Sequence, residues 1–318
     1  MTDRQARDEA GDRKGYGYVA ASGMVMGAAD VVPGVSGGTM AFILGIYEEL
    51  LGAIKAFNLA FVGLVVRGRL KAAFAQVNGK FLASLATGLA LSILTLSRLV
   101  TWLYEVHPVP LFSFFFGLIV ASIAVIGAHV RWRPTTAASL VAGAAIAYAI
   151  VRLVPVQMPH DPLTLLWCGA VAIVAMILPG ISGSFILLIL GQYHYVMSAV
   201  KSLDVITLFP FACGAAIGLL SFARVLSWLL GRWHQAMISF LVGFMIGSLW
   251  KIWPFRNVLE TMTTVSGKLV PVREAVILPD WSLATYGLPA LLFLGGFAVV
   301  VGIDRIQKRM AAGHRLGG

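Results

Sequence analysis

Residues 33–47 read PGVSGGTMAFILGIY, and residues 179–193 read PGISGSFILLILGQY. Eight of the fifteen aligned positions are identical, including the Pro-Gly and Ser-Gly pairs that interrupt each apolar stretch. An interrupted helix leaves backbone N–H and C=O groups that lipid cannot satisfy, so these groups must face protein or a wet cavity. Two such segments at corresponding places in two halves are typical of a transporter binding site. We call residues 33–36 the first break and residues 179–182 the second break.

The composition also indicates a membrane protein. Of the 318 residues, 59% are hydrophobic and only 12% are charged, whereas soluble domains carry about 25% charged residues. The net charge of +10 does not point to nucleic acid, because the basic residues cluster at the ends of apolar runs, as the positive-inside rule requires. Cys168 and Cys213 lie in apolar segments and form no metal or disulfide pattern. We therefore expect no nucleic-acid partner and no metal.

The repetition extends beyond the two phrases. Residues 98–122 align without gaps with residues 224–248, and Arg, Trp, Ser, Phe and Gly recur at matching positions. The first half holds about twenty extra residues between its phrase and this segment. The extra residues fall within residues 55–80, which we interpret as an amphipathic insert on the cytoplasmic side.

The placement of Lys and Arg predicts the topology. Basic clusters lie in the N-terminal tail, the insert, residues 131–133, Arg232 and the C-terminal tail, and the positive-inside rule assigns all of them to the cytoplasm. Loops 104–110 and 155–162, which contain neither Lys nor Arg, then lie outside. Corresponding helices of the two halves therefore run in opposite directions, which is the inverted-repeat architecture of many secondary transporters.

These observations predict an all-α, multi-pass membrane protein of two inverted repeats. Each repeat is expected to contain a re-entrant or broken helix hairpin and about three transmembrane helices. The predicted organisation is a cytoplasmic N-terminal tail at 1–15, a first repeat at 16–154, a second repeat at 155–304 and a basic cytoplasmic tail at 305–318.

The breaks carry the predicted binding chemistry. A new helix is expected to begin at about Thr39 after the first break and at about Phe185 after the second. A helix N-terminus exposes unpaired N–H groups that bind anions, and glycine lets the backbone approach a ligand closely. The alternative is that each break only kinks the chain where helices cross closely. The predicted anion site consists of Ser36, Gly37, Gly38, Thr39, Ser182, Gly183 and Ser184.

Two arginines occupy matching positions in the repeat. Arg98 and Arg224 each lie about six residues from the end of a predicted span, roughly 9 Å from that end at the helical rise. A charged side chain inside a span is costly and often functional, and a guanidinium pairs well with a phosphate. We therefore add both to the predicted anion site. Alternatively, both side chains snorkel to the interface, with Trp102 and Trp228 as aromatic belt residues.

Acidic residues accompany the first phrase alone. Asp30 precedes the first break and corresponds to Met176, while Glu48 follows the phrase and corresponds to His194. An acid present in one half is a candidate site for a coupling proton or cation. The alternatives are that Asp30 pairs with Arg98 or caps the backbone, and that Glu48 is interfacial. The sequence shows no nucleophile with its base, no Walker motif and no cofactor motif, so we do not expect an enzyme.

The phrases with their flanks resemble a known family. GMVMGAADVVPGVSGGTMAFILGIYEEL at 23–50 and ILPGISGSFILLILGQYHYV at 177–196 are similar to the bacterial polyprenyl-phosphate transporter family, over nearly the whole chain. The resemblance implies a flippase in the bacterial cytoplasmic membrane. It would return undecaprenyl phosphate from the outer to the inner leaflet for reuse in the synthesis of peptidoglycan and other envelope polymers.

The residues alone leave two other functions open. A transporter or channel for a small soluble anion would use the same site, with an aqueous path in place of a lateral opening to lipid. A membrane-embedded lipid phosphatase would need a catalytic group that the sequence does not display. The sequence does not determine the oligomeric state, the coupling ion or the preferred tail length.

Overall fold

A computed structural model describes residues 15–32, 34–153, 155–263, 269–280 and 282–316. The predicted N-terminal tail therefore lies outside the described residues except for Gly15, as does Pro33 of the first break.

The described residues of the first half form eight helices. They are α1 (Tyr16–Asp30), α2 (Gly37–Ile43), α3 (Tyr47–Lys55), α4 (Leu59–Val66), α5 (Leu70–Gln76), α6 (Gly79–Val106), α7 (Pro108–Gly127) and α8 (Pro134–Val151).

The second half repeats this order without the insert helices. It consists of α9 (Pro162–Ile177), α10 (Gly183–Ile189), α11 (Tyr193–Ser202), α12 (Val205–Arg232), α13 (His234–Ser248), a 3-10 turn (Leu249–Ile252), strands β1 (Arg256–Thr263) and β2 (Leu269–Val276), and α14 (Leu283–Leu316).

Six helices of the described chain are long and apolar enough to cross a membrane: α6, α7, α8, α12, α14, and α13 with its 3-10 turn. The pairs α2–α3 and α10–α11 are bent by 117° and 116°, and would raise the number to eight if each pair were one span. The predicted multi-pass helical fold with broken helix pairs is confirmed. The antiparallel β1–β2 hairpin is an exception to the all-α prediction, and it occupies the long loop that precedes the last span.

Local sequence explains where the half-helices begin. Gly34 and Gly180 have φ angles of 91° and 107°, a left-handed conformation that favours glycine, so the chain turns sharply there. Ser36 and Ser182 follow in extended conformation and act as N-caps, their hydroxyls accepting from backbone N–H groups of the first turn. Both half-helices therefore begin two residues earlier than predicted, at Gly37 and Gly183 rather than at Thr39 and Phe185.

Each half-helix returns the chain to the end of the bundle from which it came. The hydroxyl of Tyr18, near the start of α1, donates to the carbonyl of Leu44, just after α2, at 2.9 Å. In the second half, the N–H of Val156, before α9, donates to the carbonyl of Ile189 at 2.7 Å. The units α1–α2 and α9–α10 are therefore helical hairpins, as the prediction of a re-entrant or broken helix hairpin requires.

The two hairpins enter at opposite ends of α8. Gly45, after the first hairpin, shares a cavity with His129, which lies in the turn before α8. Gln192, after the second hairpin, donates to the carbonyl of Met158, which follows α8. An inverted repeat requires this placement, but the inverted repeat itself stays a prediction that we develop below.

Helices pack in pairs both within and between the two halves. Within the halves, α1 packs on α6 and α9 packs on α12. Between the halves, α7 packs on α14 and α8 packs on α13. The contacts are glycine-rich, as in other membrane bundles. A Cβ on Gly143 of α8 would collide with the carbonyl of Phe240 in α13, and a Cβ on Gly117 of α7 would collide with that of Phe293 in α14. The two halves are thus interlocked.

The predicted insert forms two short helices of different character. Helix α4 reads LAFVGLVV, has no polar face and buries none of its residues. The basic residues Arg67, Arg69 and Lys71 follow it and are exposed. An apolar helix followed by a basic turn suits a membrane surface. Helix α4 itself, however, is apolar on all sides and is not amphipathic.

Candidate anion site at the two helix breaks

The two breaks meet and hydrogen-bond to each other. The N–H of Gly34 in the first break donates to the hydroxyl of Ser182 in the second, at 3.3 Å. Reciprocally, the N–H of Gly180 in the second break donates to the hydroxyl of Thr39, just after the first, at 2.7 Å. All four residues are buried. We call this contact the junction.

The first phrase also satisfies the last carbonyls of α9. The hydroxyl of Ser36 donates to the carbonyl of Met176 at 3.0 Å, and that of Tyr47 donates to the carbonyl of Ile177 at 3.0 Å. The interrupted backbone thus finds its partners inside the protein, as a membrane interior requires.

The two half-helices differ in how many N–H groups they leave for a ligand. In α2, the N–H of Gly37 donates to Oδ1 of Asp30 at 2.6 Å, and that of Gly38 donates to the Ser36 hydroxyl at 3.1 Å. In α10, the corresponding N–H groups of Gly183 and Ser184 have no partner among the described residues. Two differences account for this. Met176 stands where the first half has Asp30, and the Ser182 hydroxyl accepts from the N–H of Phe185 rather than from that of Ser184.

The hydroxyls of the second break form a small polar cluster. The hydroxyl of Ser182 accepts from the N–H of Phe185 at 3.3 Å and lies 3.2 Å from the hydroxyl of Ser184. Ser184 is half-buried, whereas Ser36, Thr39 and Ser182 are buried. The structure therefore brings together the two short segments, residues 36–39 and 182–184, that were predicted to form the anion site.

The two arginines have different surroundings. Arg224 is half-buried in α12, where its guanidinium donates to the carbonyls of Leu220 at 3.0 Å and Phe57 at 2.7 Å. Arg98 is exposed on α6, and its guanidinium has no hydrogen bond or ion pair within the described chain. Both partners of Arg224 are neutral, so its positive charge is not compensated. A role of either arginine in anion binding stays a prediction.

The candidate acids also differ in position. Asp30 caps the N–H of Gly37, which is one of the alternatives given above, and it forms no ion pair with Arg98. Glu48, in the first turn of α3, lies 3.8 Å from Nδ1 of His234, with both side chains more than half exposed. Asp30 is therefore bonded to the half-helix that follows the first break, while Glu48 faces the start of α13.

Sequence reasoning missed one cation at the junction. Lys251 follows α13 in the 3-10 turn, and its Cγ lies 3.1 Å from the position that a Cβ on Gly34 would occupy. Its Nζ lies 4.8 Å from the ring centroid of Phe185, so the side chain reaches both breaks. The aligned segments end at Ser248. Extending the alignment by three residues pairs Lys251 with Val125 and would have shown this cation in the second half alone.

Two cavities are lined by residues of the surrounding elements rather than by the breaks themselves. One is a groove of about 750 Å³ with an almost entirely apolar lining, which includes Trp250 and Trp253. The other, of about 450 Å³, lies beside the turn after α2 and has a mixed lining that includes His129, His234 and Asp304. Within the described residues, no group of three or more His, Cys, Asp or Glu side chains is placed to hold a metal ion.

The fold and the junction define a multi-pass helical membrane protein built around two broken helix pairs. The chain belongs to the family described as VCA0040-like, undecaprenyl phosphate translocase-like, which matches residues 26–270. This match confirms the family resemblance carried by the two phrases.

Two relatives carry the same name. The polyprenyl-phosphate transporter of Vibrio cholerae serotype O1 is 41% identical over 312 residues, covering 94% of this chain and 100% of the relative. The polyprenyl-phosphate transporter of Staphylococcus aureus is 31% identical over 251 residues, covering 73% of this chain and 84% of the relative. No solved structure matches the chain.

Proposed function

We propose that this protein is a flippase for undecaprenyl phosphate in the bacterial cytoplasmic membrane. It would move the lipid from the outer to the inner leaflet, so that synthesis of peptidoglycan and other envelope polymers can reuse the carrier. The names of the family and of both relatives support the substrate class. We propose transport alone, with no enzymatic activity.

The meeting of the two breaks is the observation that carries this proposal. A phosphate is an acceptor, and the junction offers the N–H groups of Gly183 and Ser184 together with the hydroxyls of Thr39 and Ser182. The Ser36 hydroxyl would join them after releasing the carbonyl of Met176. Because α10 has only seven residues, the attraction comes from these first-turn donors rather than from a long helix dipole. The phosphate would replace the bonds that now join the two halves.

This replacement suggests how binding is coupled to movement. The bonds from Gly34 to Ser182 and from Gly180 to Thr39 both cross between the halves, so a phosphate that accepts from these two N–H groups in place of the hydroxyls loosens the junction. We propose that the repeats, residues 16–154 and 155–304, are inverted and rock about this centre. The entry of the two hairpins at opposite ends of α8 supports the inversion, and both chain termini would be cytoplasmic.

The charged residues have proposed roles around this centre. Arg98 and Arg224 would pair with the phosphate in turn as each half opens, because a guanidinium binds phosphate through two parallel hydrogen bonds. Asp30 is the stronger candidate for a coupling proton or cation, because its carboxylate accepts from the N–H of Gly37 directly after the first break. Glu48 is the second candidate. The isoprenoid tail would remain in lipid.

Ligand binding tests the substrate class. The purified protein, in detergent or nanodiscs, should bind undecaprenyl phosphate more tightly than undecaprenol or inorganic phosphate, as measured by native mass spectrometry. The alcohol lacks the charged head and the inorganic ion lacks the tail. Equal affinity for undecaprenyl phosphate and undecaprenol would contradict the proposal, and preference for inorganic phosphate would favour the transport of a small anion.

A further inference from the structure

We infer that the 3-10 turn after α13, with Trp253, is the element that recognises both parts of the lipid phosphate. In this inference Lys251 binds the phosphate, and the apolar groove beside Trp250 and Trp253 binds the part of the isoprenoid chain nearest to it. The inference rests on the proposed function and deepens it, since the turn lies outside the two repeated phrases.

The position of Lys251 supports its role at the phosphate. Its aliphatic stem packs against Gly34 of the first break, and its ammonium lies over the ring of Phe185, two residues after Gly183. This contact with the Phe185 ring holds the positive charge of Lys251 beside α10, the half-helix that follows the second break. A phosphate at the N–H groups of Gly183 and Ser184 would lie next to this charge.

The groove supports the second part. It holds about 750 Å³, within the range of 300–1,000 Å³ that is typical of sites for drug-sized ligands. Its wall includes four aromatic rings, those of Phe116, Tyr148, Trp250 and Trp253. The ring of Trp253 is fixed by its N–H, which donates to the carbonyl of Ile277 at 3.1 Å, and by an edge contact with Phe116 at 5.4 Å. A rigid, concave, apolar wall suits a branched hydrocarbon chain.

The backbone of the turn joins the two parts. Side chains of consecutive residues in a 3-10 helix point about 120° apart, because the helix has three residues per turn. Trp250 can therefore face the groove while Lys251 faces the breaks, although their Cα atoms are only about 3.8 Å apart. A lipid whose phosphate touches Lys251 would reach the groove with its first isoprene units, and the rest of its chain would lie in the bilayer.

Two pairs of variants test the inference with the binding assay described above. Lys251→Met should lower the affinity for undecaprenyl phosphate by at least about tenfold (~1.4 kcal/mol), with undecaprenol binding unchanged within twofold. Lys251→Arg should retain most of the affinity because it keeps the charge. Arg232→Met is the matched control, since Arg232 also lies over an aromatic ring, that of Trp233, before α13 begins.

The second pair tests the groove. Ala145 is exposed on α8 and lines the groove, so Ala145→Trp should fill it and lower the affinity for undecaprenyl phosphate and undecaprenol alike, by about tenfold (~1.4 kcal/mol). Ala142→Trp is the control, because Ala142 is exposed on the same helix but lies outside the groove. Melting temperatures should show that all variants remain folded.

The outcomes separate this inference from the proposed function. If Lys251→Met binds undecaprenyl phosphate as Arg232→Met does, Lys251 is not a phosphate ligand. If Ala145→Trp behaves like Ala142→Trp, the groove is covered only by ordinary bilayer lipid. In both cases the proposed function stands, provided that the wild-type protein prefers undecaprenyl phosphate. If the wild-type protein shows no such preference, the proposed function fails, and this inference fails with it.

Discussion

Replacing Thr39 with valine tests the hydrogen bond that closes the junction. The hydroxyl of Thr39 accepts from the N–H of Gly180 at 2.7 Å, and both residues are fully or nearly fully buried. Valine has nearly the same shape, so packing is preserved while the N–H of Gly180 loses its acceptor. A buried donor left without a partner costs about 1–3 kcal/mol. The free energy of unfolding of Thr39→Val should fall by that amount.

Denaturation of the purified protein in mixed micelles, with increasing dodecyl sulfate, measures this change. Thr87→Val is the matched control, because Thr87 is exposed on α6 and its hydroxyl bonds only to the carbonyl of Ala83 in the same helix, at 2.8 Å. Such a surface change should alter the unfolding free energy by less than about 0.5 kcal/mol. If the two variants are equally stable, this bond does not hold the breaks together, and the reasoning for a closed junction is refuted.

Further predictions concern charge, backbone and pH. Arg98→Ala and Arg224→Ala should each abolish most transport of undecaprenyl phosphate. Only Arg224→Ala should also lower the melting temperature, because it alone leaves carbonyl groups without their donor. Normal transport by both variants would show that the arginines are interface anchors. Gly183→Val should weaken the binding of undecaprenyl phosphate by at least about tenfold (~1.4 kcal/mol). The reason is that a Cβ would lie 2.8 Å from the carbonyl of Ala172 and displace the donor N–H of residue 183. Unchanged affinity would place the phosphate elsewhere. The hydrogen bonds from Thr207 lower the pKa of Asp204, the N-cap of α12. The stabilisation is therefore present above the ordinary carboxyl pKa and is lost as the pH falls through the lowered value. Asp204→Asn should flatten this acid limb of the plot of unfolding free energy against pH, and an unchanged limb would contradict the assignment.

Much of the fold could be predicted because the decisive signals are local and repeated. The Pro-Gly and Ser-Gly pairs fix the breaks through backbone conformation, and the serines cap the helices that follow, so the hairpins follow from a short stretch of sequence. The start of each half-helix was misplaced by two residues, because the capping role of Ser36 and Ser182 was overlooked. The β1–β2 hairpin was not predicted, since the sequence between Arg256 and Val276 carries mixed charges typical of a loop.

The site was predicted less completely, because it depends on contacts between distant segments. The sequence identified the break residues and the difference between Asp30 and Met176, but it did not determine which role Asp30 has. In the structure Asp30 accepts from the N–H of Gly37, while Met176 gives the N–H of Gly183 no acceptor. The carbonyl that engages Arg224 belongs to Phe57, which is 167 residues away and has no sequence signature. Lys251 was missed for the same reason, since only the packing of the turn after α13 brings it to Gly34.

Leaflet-resolved transport in proteoliposomes tests the central claim most directly. Undecaprenyl phosphate is added to the outer leaflet, and the fraction still exposed is measured over time with an added phosphatase that cannot cross the membrane. Vesicles with the wild-type protein should lose exposed lipid much faster than empty vesicles, and the double variant with Thr39→Val and Ser182→Ala should be slower than the wild type. A folded wild-type protein that moves the lipid no faster than empty vesicles would contradict the account.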